Sequence, residues 1–300
     1  MTSQRRFGTT TVSAVGLGAM PLSLRDGGPI DHDRAVETIH AALDAGITLL
    51  DTADIYAPSW DTMGHNEALI ATALQSWPGD RGRVVVATKG GIRRGPGESW
   101  GRDGSYEYLR ERVEKALVNL KVDSLDLFCL HRPDRTRTFA AQVEALQRLQ
   151  DEGLVTSLGV SNANVEEIAI AVEVLGEGGL AAVQNEFSPR FNQTSLDELR
   201  FCGEHGIAFV AYSPLGQGNY AKSLGERFEV IAETARRHGV TPQQVTLAWE
   251  LALGEHVIVI PGATRPASAI DSAAAMTLSL DADEVAAISR RLLASEVVHG

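Results

Sequence analysis

Short apolar, β-rich runs alternate along this chain with amphipathic runs of about ten to sixteen residues. The apolar runs are eight: 12–17, 47–50, 84–88, 125–130, 155–160, 181–184, 208–212 and 257–260. Between and after them the pattern predicts helices near 33–45, 66–76, 105–120, 138–152, 164–175, 194–205, 226–238 and 266–275. In 105–120, Leu109, Val113, Ala116, Leu117 and Leu120 fall on one face, while Arg110, Glu111, Glu114 and Lys115 fall on the other. Gly46, Gly153 and Gly206 each end a helix as a left-handed cap should. Eight strand–helix units predict an α/β fold, a closed (β/α)8 TIM barrel. Two additional helices, near 242–253 and 281–293, and a short C-terminal tail ending at Gly300 complete it. An open doubly wound sheet is the alternative. It wants a glycine-rich turn that opens a helix, and Gly16-Leu17-Gly18-Ala19-Met20-Pro21 lacks the third glycine.

Composition narrows the classes further. With 44% hydrophobic and 22% charged residues the chain is globular in type. No Pro/Ser linker breaks its 300 residues, so a single domain over 1–300 is expected. A net charge of −12 without a long basic run argues against nucleic acid as a partner. Cys129 and Cys202 lie in apolar or helical segments and read as buried free thiols of a reducing compartment. The start, MTSQRRFGTTTV, has no apolar leader, and no window is apolar enough to span a membrane. A cytoplasmic setting without a membrane partner is expected.

Barrels of this type carry their chemistry at the C-terminal ends of the strands. There the chain places Asp51 with Tyr56, Lys89, His131, Ser161-Asn162, Gln184, Tyr212-Ser213, and Thr264-Arg265. Singly, each has a plain reading, such as a loop cap, a rim charge or a core histidine. Together on one rim they point to chemistry. An unperturbed tyrosine titrates near 10 and is a weak acid at neutral pH. A neighbouring ammonium favours the phenolate. Tyr56 is then the acid, Lys89 its tuner, Asp51 the anchor of Lys89, and His131 a donor to a polarised oxygen.

The motifs Leu50-Asp51-Thr52-Ala53-Asp54-Ile55-Tyr56, Ala87-Thr88-Lys89, Leu130-His131, Gly159-Val160-Ser161-Asn162, Val183-Gln184-Asn185, Ala211-Tyr212-Ser213-Pro214-Leu215-Gly216 and Ile260-Pro261-Gly262 come in one order over the whole chain. In that order and spacing the chain resembles the aldo-keto reductases. The resemblance implies an NADPH-dependent carbonyl reductase, NADH being the other option, acting on a small-molecule carbonyl compound. It implies Tyr56 as proton donor with Asp51, Lys89 and His131. It implies Ser161, Asn162 and Gln184 at the nicotinamide carboxamide, Tyr212 stacked on the ring, and Ser213, Pro214, Leu215 and Gly216 at the pyrophosphate. Pro261, Gly262, Ala263, Thr264, Arg265, Asp271 and Ser272 would form the adenosine-phosphate site. A helix start there suits an anion on physical grounds as well. Two departures stand out: Asp271-Ser272 replaces the frequent Glu-Asn, and Gly262 and Ser268 replace frequent cations, leaving Arg265.

Other signals are weaker. Gly159-Val160-Ser161-Asn162-Ala163 approaches a nucleophile elbow but lacks its last glycine. The eight histidines form no metal-ligand spacing, so no metal is expected. Trp60 and Trp100 are candidates for a substrate wall, with exposed-loop packing as the alternative. Arg132 reads as an anion receptor or as a partner of Asp134. A cofactor-sensing accessory subunit of the same fold is the non-enzyme alternative. Substrate identity would reside in the loops after strands 1, 2, 3, 4 and 7 and in the C-terminal tail, with loops 22–30, 57–65 and 93–104 the unusual ones.

Overall fold

The computed structural model describes residues 4–192 and 195–293; the tail 294–300 lies outside the described residues. The chain opens with an antiparallel hairpin, β1 (Gln4–Phe7) and β2 (Thr10–Ser13). Then come β3 (Leu17–Gly18), β4 (Leu49–Asp51) and β5 (Val85–Gly90). A second hairpin, β6 (Ile92–Gly95) and β7 (Ser99–Arg102), stands apart from the barrel. It is followed by β8 (Leu125–Leu130), β9 (Val155–Ser161), β10 (Leu180–Glu186), β11 (Ala208–Tyr212) and β12 (Val257–Ile260). Eight parallel strands lie in the order β3-β4-β5-β8-β9-β10-β11-β12. Parallel bridges Val15–Val259 and Gly18–Gly262 join the two edges and close the barrel.

The first strand differs from expectation. The run 12–17 divides: Thr10–Ser13 pairs backward in the hairpin, and only Leu17–Gly18 joins the barrel as a strand. Glycine lets the barrel strand come close to β12. A Cβ on Gly16 would lie 2.9 Å from Ile260 Cγ2, and one on Gly18 would lie 2.7 Å from the Ile260 carbonyl oxygen. The closing seam is narrow and bare, while Phe7 and Val12 of the hairpin join the packing inside the barrel.

Eight helices follow the eight strands in turn, at His32–Asp44, His65–Ser76, Tyr106–Leu120, Phe139–Asp151, Val165–Leu175, Leu196–Glu204, Glu229–His238 and Pro266–Ala274. Ser105 and Thr138 accept the backbone N–H groups of Tyr108 and Ala141, and Asn164 forms a capping box with Glu167. The additional helices are Pro242–Leu251 and Ala282–Leu293. Three short helices were not expected: Met20–Ser23, Gly218–Lys222 and Leu224–Arg227. Cys129 and Cys202 are buried and free. No described helix is long and apolar enough to cross a membrane.

Candidate active site

Strand alternation builds the site. The inside of the barrel is filled by Leu49, Ala87, Leu127, Cys129, Ala182, Val210 and Ile260 among others. Side chains two apart on a strand share a face. Two positions beyond Leu49, Ala87, Cys129, Ala182, Val210 and Ile260 come Asp51, Lys89, His131, Gln184, Tyr212 and Gly262. At five of these six strand ends a polar group thus continues the inward-facing row, and Gly262 continues it at the sixth.

Asp51 and Lys89 meet there, with Nζ 2.7 Å from Asp51 Oδ1 and both side chains sealed from water. Lys89 Nζ also donates to the Thr52 carbonyl at 2.7 Å and reaches the Tyr56 hydroxyl at 3.5 Å. The second Asp51 oxygen accepts from Gln184 Nε2 at 2.8 Å. Tyr56 arrives from the loop after β4. Its N–H donates to Ala53 O, its carbonyl accepts from Asn66 N, and its ring meets His131 edge-on at 5.8 Å. The sequence expectations for Asp51, Tyr56, Lys89 and His131 converge on one buried cluster.

The electrostatics correct one expectation. Burial pushes the Tyr56 phenol above its ordinary value, against the downward pull of Lys89, and Asp51 adds to the rise. Lys89 tempers the phenol without bringing it below the ordinary range. Burial is the largest single influence on the Lys89 ammonium and opposes its charge, but Asp51 and Tyr56 together outweigh it and hold the group charged. Burial, together with the charges of Lys89 and Arg132, pushes the His131 imidazole well below its ordinary value. His131 is therefore neutral near pH 7, and its buried Nδ1 has no hydrogen-bond partner among the described residues.

Ser161, Asn162 and Tyr212 form one chain of contacts beside this cluster. Asn162 Nδ2 donates to His131 O at 3.0 Å and to Ser161 Oγ at 2.9 Å, and Tyr212 Oη donates to Asn162 Oδ1 at 2.8 Å. The loop Ser213-Pro214-Leu215-Gly216 leaves β11 with Ser213 at φ 52° and Gly216 at φ 76°. Pro261, Gly262, Ala263 and Thr264 lead from β12 to Arg265, which caps helix Pro266–Ala274 and donates to Ser268 Oγ at 2.9 Å. Asp271 faces the neighbouring helix start instead, accepting from Thr241 Oγ1 and from Gln244 Nε2 at 2.6 Å. Ser272 is buried.

A nicotinamide dinucleotide fits these residues on two counts. A carboxylate only accepts, so Gln184 must turn its NH2 to Asp51, which leaves its oxygen free to accept. The positive end of helix Pro266–Ala274, with the Arg265 guanidinium beside it, suits an anion.

Trp60 and Trp100 stand on the rim, 38% and 54% exposed. A strut that sequence reading missed carries both. Buried Arg94 donates to the carbonyls of Ile55 and Ala57, which flank Tyr56, and pairs with Glu98 at 2.6 Å. Glu98 accepts the Trp60 N–H at 3.0 Å, and the Arg94 guanidinium lies 5.0 Å from the Trp100 ring. Pro96-Gly97 between two short β runs was the available signal. Arg132 does not pair with Asp134, whose carboxylate bonds Thr136 and lies 3.6 Å from Arg137. Its charge acts instead on Tyr212 and Glu186. Among the described residues no cluster of potential metal ligands occurs.

The family model described as "Aldo/keto reductase family" matches residues 14–292. The chain belongs to that family. A 6-dehydroglucose reductase of Novosphingobium aromaticivorans is 35% identical, over 88% of this chain and 86% of its own. The glycerol dehydrogenase of Gluconobacter oxydans superposes with a TM-score of 0.82 at 27% identity, covering 98% of this chain and 97% of its own. An aldo/keto reductase of Klebsiella pneumoniae, solved with NADP and acetate, superposes with a TM-score of 0.80 at 27% identity, over 97% and 96% of the two chains. The family assignment and the barrel agree with the expectation drawn from the strand-end motifs.

Proposed function

We propose that this aldo/keto reductase is an NADPH-dependent enzyme that reduces aldehydes or ketones to alcohols, with Tyr56 as the proton donor. One observation carries the reading: the Lys89 ammonium is fixed by Asp51 and the Thr52 carbonyl within 3.5 Å of the Tyr56 hydroxyl. NADPH supplies a hydride to the carbonyl carbon when bound. The carbonyl oxygen then carries negative charge that must be met at once. The Tyr56 hydroxyl gives its proton to that oxygen, and the resulting phenolate is held by Lys89 until solvent returns a proton. Neutral His131, at the same mouth, is a hydrogen-bond donor to the same oxygen.

Gln184, Ser161 and Asn162 would hold the carboxamide, Tyr212 the ring face, Ser213 to Gly216 the pyrophosphate, and the segment from Pro261 to Arg265 with Ser272 the adenosine phosphate. Asp271 would act there through its neighbours, because its carboxylate is already engaged. The relative that is a 6-dehydroglucose reductase and the Klebsiella protein with NADP support a carbonyl substrate and this cofactor. Trp60 and Trp100 would face the substrate.

Tyr56→Phe tests the reading. It keeps the ring and removes the proton, so reduction of 4-nitrobenzaldehyde should fall ~10²–10⁴-fold. Folding and NADPH affinity should stay within about 1 kcal/mol of the parent. A variant that keeps more than about a tenth of the parent turnover, far above the loss expected for a positioned acid, would refute the assignment.

A further inference from the structure

Lys89 carries three N–H groups. Two make short bonds, to Asp51 Oδ1 and to Thr52 O at 2.7 Å each, and only the third is left for Tyr56. The aim of that third group depends on where Asp51 stands. A carboxylate held at one oxygen can swing about its side-chain torsions, carrying Lys89 with it. Here the second oxygen is held too, by Gln184 Nε2 at 2.8 Å. Gln184 is buried on β10, across the barrel from β4, so the clamp comes from a separate strand.

We infer that Gln184 is a positioning residue for the proton donor, its amide locking Asp51 so that Lys89 stays aimed at the Tyr56 hydroxyl. The inference rests on the reading of Tyr56 as the acid and deepens it. It gives one side chain two duties. The NH2 end serves Asp51, and the oxygen end accepts from a group that enters the mouth. A donor on that oxygen polarises the amide and strengthens the N–H bond to Asp51. Cofactor seating and proton-donor alignment are then coupled through a single planar group.

The sign of the coupling follows from the charges. Without Gln184, the Asp51 carboxylate acts on the phenol with one compensating contact fewer, and Lys89 is freer to turn from Tyr56. Both changes favour the protonated phenol. In cofactor-free protein, ultraviolet titration of Gln184→Met, differenced against the same variant carrying Tyr56→Phe, should place the Tyr56 phenolate at least about half a pH unit higher than in the parent. The alkaline limb of kcat/KM at saturating NADPH should move the same way. Gln184→Glu keeps the shape and an acceptor oxygen. At the pH where the phenol titrates that carboxyl is ionised and can only accept, so it no longer donates to Asp51 and the phenolate should again lie higher than in the parent.

An unshifted phenolate in Gln184→Met, with weakened NADPH binding alone, would overturn the inference and leave Gln184 as a cofactor ligand only. If Gln184→Met does not fold, a Gln184→Glu phenolate that titrates where the parent's does would overturn it equally. Failure of the underlying reading looks different: Tyr56→Phe alone would then retain turnover, whatever the phenolate titration gives.

Discussion

Lys89 and Asp51 form an ion pair of 2.7 Å that water does not reach. Such a pair contributes little net stability when compared with apolar residues, yet breaking one half is costly. Lys89→Met strands the Asp51 carboxylate. We expect unfolding free energy to drop by about 3–5 kcal/mol, together with a steep loss of reduction. Adding Asp51→Leu should restore most of the stability and none of the turnover. Denaturant melts beside single-turnover assays check both halves; a double variant that regains activity would separate the pair from the chemistry.

Arg265 is exposed at the start of helix Pro266–Ala274 and is held by Ser268. If it reads the 2′-phosphate, Arg265→Ala should raise the KM for NADPH roughly ten- to hundredfold, the scale of a charge-assisted contact, and leave NADH nearly unchanged. Equal losses with both cofactors would remove Arg265 from phosphate recognition.

Trp60 and Trp100 share the Arg94–Glu98 strut beside Tyr56. Trp60→Ala and Trp100→Ala should each alter the ratio of KM values for a bulky aromatic aldehyde and a small aliphatic one, with cofactor affinity unchanged. Identical substrate ranking in both variants would leave the two indoles as loop packing.

Glu250 lies fully buried on helix Pro242–Leu251, and among the described residues neither carboxyl oxygen has a hydrogen-bond partner. Burial alone pushes its carboxyl well above the ordinary value. The folded state therefore keeps a proton that the unfolded chain releases, and stability is lost as pH rises above about 4.3. Glu250→Gln should raise Tm, with a gain that grows from mildly acidic to neutral pH. A gain that stays constant with pH would mean that the carboxyl titrates normally.

Much of the barrel was legible because its strands repeat with period two and its helices with period 3.6. The inward-facing row explains why Asp51, Lys89, His131 and Gln184 could be read as one layer: each follows an inner apolar residue by two places. The bond between Gln184 and Asp51 could not be read, since it joins residues 133 apart and depends on how two side chains turn. The run 12–17 misled because apolar residues on a hairpin and on a barrel strand look alike, and only the tight contacts at Gly16 and Gly18 distinguish them. Tyr56 lowered by Lys89 was the natural expectation from charge alone. It failed because burial, invisible in a list of residues, acts more strongly on the phenol.

The hairpin at the foot of the barrel ties β1 to β12, the last strand of the barrel. Arg5 Nε donates to the carbonyl of Val257, 252 residues later, and Val15 bridges Val259. During synthesis the opening segment has no final resting place until β12 has emerged. Contacts of such long sequence separation slow folding and leave apolar surface waiting in the meantime. Closing the ring thus has to wait for β12: until that strand docks, the seam beside Gly18 stays open.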